Sequence, residues 1–341
     1  MKIRAYITHK KAETYKDCQD RFCINPETKS LAVSDGVSQS IFPSIWAEML
    51  VKEYANKDWY PNHESAKELA IDWHSKVNDI LADKKQRGEN TRNLENALNT
   101  GKAAGATIVG LRFKDDSHWC YDVLGDSCLV QINKDNTIKE INSSQSGAFD
   151  SHPDYFDSNE KISGRGETKT DRGEFTTGEK LLLVSDPFSE FLLKAKENKE
   201  DIGYIENILE VDSHDSFCFL VDDFRNKGMH NDDSTLIIIE YDGKEEFNID
   251  YQDDIEELKE QELHNDQNTK SIENNSIELK CEVPTTHTAS IDEIKKDITW
   301  KDVCFFIETH LEEILSYFSS KNGKKKAKDI VNRIIEIFKQ K

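Results

Sequence analysis

Three absences narrow this chain before any motif is read. No apolar run in its 341 residues reaches the roughly 18–20 needed to cross a bilayer, so no membrane span is expected. The opening stretch, MKIRAYITHKKAETYK, lacks an apolar h-region, so no secretory signal is expected. Cys18, Cys23, Cys120, Cys128, Cys218, Cys281 and Cys304 form no CxxC pair and no Cys/His zinc spacing. That argues against a disulfide framework or a structural zinc, and for a reducing cytoplasm. Basic residues are also scarce: 45 Lys and Arg face 66 Asp and Glu, a formal net charge of −21. Phosphate backbones are gripped by Lys and Arg, so no nucleic-acid partner is expected. Apolar residues make up only 36%, which predicts a folded part plus a solvated segment.

The composition shifts near residue 243. Before it, Leu31–Ser34, Ala106–Phe113, Trp119–Leu124, Cys128–Asn133, Lys180–Ser185 and Thr235–Tyr241 read as strands rich in Val, Ile and Leu. Ser44–Lys57 and Glu64–Lys85 read as helices, with Trp46, Met49 and Leu50, then Leu69, Trp73, Val77 and Leu81, at three- and four-residue steps. Strands and long helices in one segment predict a layered α/β or α+β domain over residues 1–243. Residues 245–289 carry 13 Asp and Glu against 3 Lys and few aromatics. Such a segment buries too little apolar surface to offset chain entropy, so 244–289 is expected to be a largely disordered acidic linker, with one short helix near Asp253–Glu262. Residues 290–341 recover helical periodicity. Val303, Ile307, Leu311, Ile314 and Phe318 line one face, and Ala327, Ile330, Val331, Ile334, Ile335 and Phe338 another, with Asn322-Gly323 in the turn. This predicts an αα-hairpin too small to stand alone, hence a docking or self-association element.

The chemistry-bearing residues are aspartates placed at strand ends. Asp20 lies in CysGlnAspArgPhe (18–22), Asp35 ends LeuAlaValSerAspGly (31–36), and Asp126 sits in GlyAspSer (125–127) between two strands. Asp186 ends LeuLeuLeuValSerAsp (181–186), and Asp232 precedes the strand in AsnAspAspSerThrLeuIleIleIle (231–239). Each alone is an ordinary turn or cap residue. Strands lying side by side would bring these carboxylates together. They cannot all ionise at close range without a cation, and an oxygen-only set suits Mg²⁺ or Mn²⁺ better than zinc.

The ordered set QD…SDG…GAT…GDS…SD…DDST resembles the metal-dependent PP2C-type (PPM) Ser/Thr phosphatase family, most closely a bacterial branch. The resemblance spans residues 1–241, about 70% of the chain. GlyAlaThrIleVal (105–109) is similar to the family's G-[AT]-T strand, and AspAspSerThr (232–235) to its D-[ND]-x-T strand. The resemblance implies an α+β fold, a four-layer α-β-β-α sandwich, here carrying an acidic linker and a C-terminal helical hairpin. It implies two Mn²⁺ or Mg²⁺ ions, with a third, weaker one also expected. Asp35 would serve both ions, the carbonyl of Gly36 would help hold one, Asp186 and Asp232 would hold the other, Asp20 would act largely through water, and Asp126 with Asp186 would face the third. The implied reaction is hydrolysis of phosphoserine or phosphothreonine by an activated water, with a phosphoprotein substrate and an opposing Ser/Thr kinase as partners.

The chain departs from the family pattern at three places. Many members carry Arg five residues before the first Asp; here it is Tyr15, leaving His9, Lys10, Lys11 or Lys16 to grip phosphate, although Lys lacks the Arg fork. Animal members have His after Asp-Gly; here it is Val37, leaving a metal-bound water or His9 as the acid. Pro187 follows Asp186 where many members have Gly, which removes a backbone donor but not the carboxylate. The polar stretch Ser143–Gly178, with Arg165 and Arg172, corresponds to a flap beside the site in the family. Cys18 reads as a small buried hydrophobe rather than an oxidation sensor. GlyLysAlaAlaGlyAlaThr (101–107) lacks P-loop spacing, so no ATP site is expected. The alternatives are a catalytically weak or inactive phosphoprotein-binding scaffold of the same fold, and a metal-dependent phosphohydrolase of small molecules.

Overall fold

Strands that are apolar at every position have two faces to bury, and this chain places several such strands between a second sheet and a helical layer. The computed structural model describes residues 1–264, apart from 116, 145–152, 160, 162–163 and 244–245. Its elements in chain order are β1 (Lys2–Thr8), β2 (Arg21–Asn25), β3 (Ser30–Ser34), α1 (Pro43–Asn56), α2 (His63–Gln86), α3 (Arg92–Asn99), β4 (Gly105–Ala106), β5 (Ile108–Phe113), β6 (His118–Leu124), β7 (Cys128–Ile132), β8 (Ile138–Asn142), β9 (Tyr155–Asp157), β10 (Gly164–Arg165), β11 (Lys169–Glu174), β12 (Lys180–Val184), α4 (Asp186–Asn198), α5 (Asp201–Leu209), α6 (His214–Asn226), β13 (Ser234–Glu240) and β14 (Asn248–Gln252). A six-stranded sheet runs β14-β1-β13-β12-β7-β8, and a five-stranded sheet runs β11-β6-β5-β3-β2. A small sheet, β10-β9-β4, stands beside them.

Three cores separate four layers. In the six-stranded sheet, Tyr6, Leu182, Val184, Leu236 and Ile238 pack on Phe188, Phe191, Ile205, Phe217 and Phe224 of α4–α6. Their alternate neighbours Ile3, Ala5, Leu181, Leu183, Ile237 and Ile239 point the other way, onto Leu31, Val33, Val109, Leu111 and Val123 of the five-stranded sheet. That sheet's outer face, through Ala32 and Ile108, meets Trp46, Leu50, Tyr54, Trp73 and Leu81 of α1 and α2. The period of two along each strand sorts consecutive apolar residues into different cores. This is the α-β-β-α sandwich expected.

The predicted strands and the two long helices appear within one or two residues of their expected ends. α2 starts with a capping box, in which the Asn62 side chain accepts the Ser65 N–H and Ser65 Oγ accepts the Asn62 N–H. The ordered chain also continues past residue 243, into the expected linker. β14 pairs in parallel with β1, and residues 255–264 are helical. Asn248, Asp250 and Gln252 are exposed while Ile249 and Tyr251 are half-buried, an amphipathic strand that the surrounding acidity obscures. Part of the expected flap likewise belongs to a main sheet, since β11 pairs with β6 along its whole length. The rest of the expected linker and the whole expected hairpin, residues 265–341, lie outside the described residues.

Candidate metal centre

Register brings the aspartates together. Arg21 pairs with Ser34, so Asp20 and Asp35 flank one end of the β2–β3 ladder. Val184 pairs with Leu236 in the other sheet, which sets Asp186 beside the residues that lead into β13. Gly125–Ser127 is the crossing from β6 in one sheet to β7 in the other, and Cys128 pairs with Val184. Five carboxylates from two sheets therefore reach one rim of the sandwich. Asp20 and Asp126 are buried, whereas Asp35, Asp186 and Asp232 are partly exposed, so the cluster opens to solvent on one side.

Hydroxyls hold this rim in place. Thr107, from the G-A-T strand, accepts the Asp35 N–H at 3.2 Å, and its hydroxyl lies 2.8 Å from that of Ser127. It thereby links the Asp35 turn to the Asp126 turn. Thr235 donates to Asp20 Oδ2 at 2.8 Å, and its own N–H donates to Ser185 Oγ at 2.9 Å. Gly36 is required by close approach: a Cβ there would sit 2.8 Å from Pro43 Cβ and 3.0 Å from the Gln19 carbonyl. Gly125, at φ +106°, occupies the left-handed region at the sheet crossing.

The electrostatics are those of crowded anions. Burial, then the charge of Asp233, pushes the Asp20 carboxyl up to about 7. Burial together with the charges of Asp20, Asp186, Asp126 and Asp232 raises Asp35 well above the carboxylate range. Burial and the charges of Asp126, Asp232 and Asp20 do the same to Asp186. Each of these carboxylates resists ionisation because it is buried and, beyond that, because its neighbours are acids. Buried oxygens Oδ1 of Asp20 and Oδ1 of Asp186 have no hydrogen-bond partner. Among the described residues no three acidic, His or Cys side chains close tightly enough to form a finished ligand cage. An open, all-oxygen, anionic cluster with orphaned oxygens fits a hard divalent cation that completes its shell with backbone carbonyl and water.

Among the described residues, Lys10 brings an ammonium to a carboxylate of the cluster. Lys10 Nζ lies 2.9 Å from Asp232 Oδ1 and donates to Ser38 Oγ at 3.1 Å. Burial alone would lower its pKa; the hydrogen bond and charge of Asp232 outweigh it and hold the ammonium above its usual range. Asp233, the second acid of the D-D-S-T run, plays a different part. It is buried and accepts Lys10 N–H and Gln19 N–H at 2.9 and 2.7 Å, clamping both ends of the 10–19 loop. Nothing in its sequence position separates it from Asp232; only the pairing of β1 with β13 does.

His9 does not join the carboxylates. Its Nδ1 lies 2.8 Å from the Lys10 carbonyl oxygen, its Nε2 lies 3.4 Å from Glu262 Oε1, and its ring packs edge-on to Tyr15. The acid role expected of His9 is therefore not supported by its position. Tyr15, at the usual Arg position, is buried and directs its hydroxyl to His214 Nε2 at 2.8 Å. Pro187 stands in the first turn of α4, where the missing N–H would have no helical partner, and Asp186 occupies the same turn. Arg165 pairs with Asp154 at 3.1 Å, and Arg172 is exposed on β11.

A profile of the protein phosphatase 2C family matches residues 9–221. The chain belongs to the protein phosphatase 2C family. As a member it is a protein serine/threonine phosphatase. Comparison with curated protein sequences gives no match. Similar solved structures include a bacterial serine phosphatase, 12% identical at a TM-score of 0.46, which covers 71% of this chain and 98% of its own. The serine/threonine phosphatase Stp1 from Staphylococcus aureus is 13% identical at a TM-score of 0.45, covering 71% and 95%. The catalytic domain of the phosphatase PstP, solved with two manganese ions, is 14% identical at a TM-score of 0.40, covering 70% and 96%. The family match carries the assignment.

Proposed function

We propose that this phosphatase hydrolyses phosphoserine and phosphothreonine in proteins with manganese or magnesium held by the carboxylate cluster. The observation that supports this most is the cluster itself, with buried oxygens of Asp20 and Asp186 left unpartnered. Asp35 would serve both ions, the Gly36 carbonyl would help hold one, Asp186 and Asp232 would hold the other, and Asp20 would act through ordered water. Asp126 and Asp186 would face a third, weaker position. When bound, the cations supply an acidified water as nucleophile and neutralise phosphoryl charge.

The remaining work falls to this chain's own side chains. Lys10 Nζ, now paired with Asp232, is the ammonium placed to take a phosphoryl oxygen, the part that Arg plays in many members. As a point charge it attracts phosphate without a bidentate fork. Thr235 orients Asp20, and Asp233 fixes the loop that positions Lys10. Val37 offers no side-chain acid, so the leaving Ser or Thr oxygen takes its proton from water.

The test is hydrolysis of a phosphothreonine peptide by the full chain with Mn²⁺, with EDTA and in Asp35→Ala. Turnover that needs the metal and disappears in the variant is the expected result. Manganese binding without turnover would overturn the reading and leave a phosphoprotein-binding scaffold. Preference for nucleotides over phosphopeptides would point instead to a small-molecule phosphohydrolase.

A further inference from the structure

Metal-assisted hydrolysis leaves unused a second constellation, built where α6 meets β1 and the segment after β14. Ser213 caps α6 in a capping box, so His214 is its first residue and Cys218 lies one turn later on the same face. Cys218 Sγ is 3.3 Å from His214 Nε2, and His214 Nδ1 is 2.9 Å from Asp253 Oδ2. Asp253 is buried, and its carboxylate accepts Ile7 N–H and the Tyr251 hydroxyl, each at 2.9 Å. A thiol, a base and a fixed carboxylate thus stand in the order that activates a nucleophile. Around them, the Tyr15 hydroxyl also reaches His214 Nε2 at 2.8 Å, and Thr8 Oγ1 lies 3.6 Å from the sulfur.

The charges agree with the geometry. Burial opposes protonation of His214, but the hydrogen bonds to Asp253 and Cys218 outweigh it and hold the imidazole up at about 10. At neutral pH the ring is then an imidazolium, whose Nε2 stands between the Tyr15 hydroxyl at 2.8 Å and the sulfur at 3.3 Å. The other described cysteines lie in surroundings that favour the neutral thiol. Burial pushes Cys128 up to about 12, Cys18 well above its usual value, and Cys23 and Cys120 upward as well. Cys218 is partly exposed, and among the described residues it is the cysteine that stands against an imidazole. A cleft of about 270 Å³ is lined by Tyr60–His63, Asp122, Glu167, Thr168 and Thr170, and by none of these residues.

We propose that Cys218, held against His214 and through it Asp253, is a reactive nucleophile and the site at which a hydroperoxide modifies this chain. The Cys218 thiolate attacks one peroxide oxygen, the O–O bond breaks and an S–O bond forms. Hydroxide leaves and takes the proton of the His214 imidazolium, giving water. The sulfur loses two electrons to become a sulfenic acid, and the peroxide is reduced by the same two.

The test uses the full chain, iodoacetamide and hydrogen peroxide as probes, and peptide-resolved mass spectrometry of every cysteine. It does not depend on phosphatase activity. At pH 7 Cys218 is expected to alkylate about tenfold faster than Cys23 and Cys120, the partly exposed comparators. One equivalent of peroxide should place a dimedone-trapped sulfenic acid on Cys218 first. His214→Gln and Asp253→Asn should slow Cys218 by about tenfold while leaving Cys23 and Cys120 unchanged. Where those variants fail to fold, the pH profile of the native chain decides. A preformed thiolate gives a rate nearly flat from about pH 6 to 8, whereas an ordinary thiol gains about tenfold per pH unit below its pKa. Labelling of Cys218 no faster than Cys23 and Cys120, a rate unaffected in a folded His214→Gln protein, or a steep profile would each overturn the proposal.

Discussion

Two groups of buried and half-buried polar residues flank the loop that joins β1 to β2, and they are built on opposite terms. At the carboxylate rim, acids face acids: Asp20, Asp35, Asp126, Asp186 and Asp232 repel one another, and oxygens of Asp20 and Asp186 lack a partner. In the Tyr15–His214–Asp253–Cys218 group, each polar atom named has a donor or acceptor opposite it, and the one carboxylate is matched by an imidazolium. Burial without satisfaction marks a place that waits for a ligand; burial with satisfaction braces the second group and holds its side chains in one arrangement. The brace also secures the chain beyond β14. Glu262 accepts the Tyr15 N–H at 2.9 Å, and Leu258 packs with Ile7, Tyr15 and Cys18.

The comparison breaks most visibly by removing an acid from each side. Asp35→Ala should lower metal-dependent turnover by about 10³-fold or more in a phosphopeptide assay, since it removes the shared ligand position. The same change should leave the metal-free melting temperature level or raise it, because it relieves repulsion. Asp253→Ala should do the reverse to stability. It strands the His214 imidazolium and costs about 3–5 kcal/mol, a fall of roughly 10 °C by calorimetry.

Lys10→Ala sharpens the view of the rim as a phosphate site. It should raise KM for a phosphothreonine peptide by about tenfold, with a smaller change in kcat, in steady-state kinetics. Lys10→Arg should recover most of that loss. A Lys10→Ala enzyme with unchanged KM would assign the phosphate grip elsewhere.

The two regions should also part in their response to pH. With the metal removed, Asp20 folds with its carboxyl raised from the usual range to about 7. Stability tied to it is therefore complete at low pH and is lost as pH rises through about 7. Added manganese should erase that slope. His214 is raised from 6.5 to about 10, so its contribution is complete below 6.5 and is lost as pH rises through about 10. Melting curves of His214→Gln should lack the higher step and keep the lower one. The smallest effect is expected from Thr235→Val, which removes one hydrogen bond to Asp20 and should cost about 1 kcal/mol.

Most of the sandwich was legible because its signals are local. Leu181–Val184 and Leu236–Ile239 are runs of strand formers, and each borders an aspartate that chain order alone places at a strand end. β14 was not legible, since its two half-buried residues, Ile249 and Tyr251, lie in a strongly acidic stretch and its partner strand is nearly 250 positions away. His9 and Lys10 are adjacent in the chain, and nothing in their spacing says which one faces the rim.

The sequence by itself determined the family, the strands and the set of aspartates at their ends, because apolar periodicity and a carboxylate after a strand are properties of a few consecutive residues. The tertiary structure alone decided the rest. It turned Lys10 toward Asp232 and His9 toward Glu262, gave Asp233 a clamp's role beside its neighbour, and joined Cys218 to Asp253 through His214. Those choices follow from which strands pair and which helix covers them. They depend on contacts between residues far apart in the chain, which no local pattern encodes.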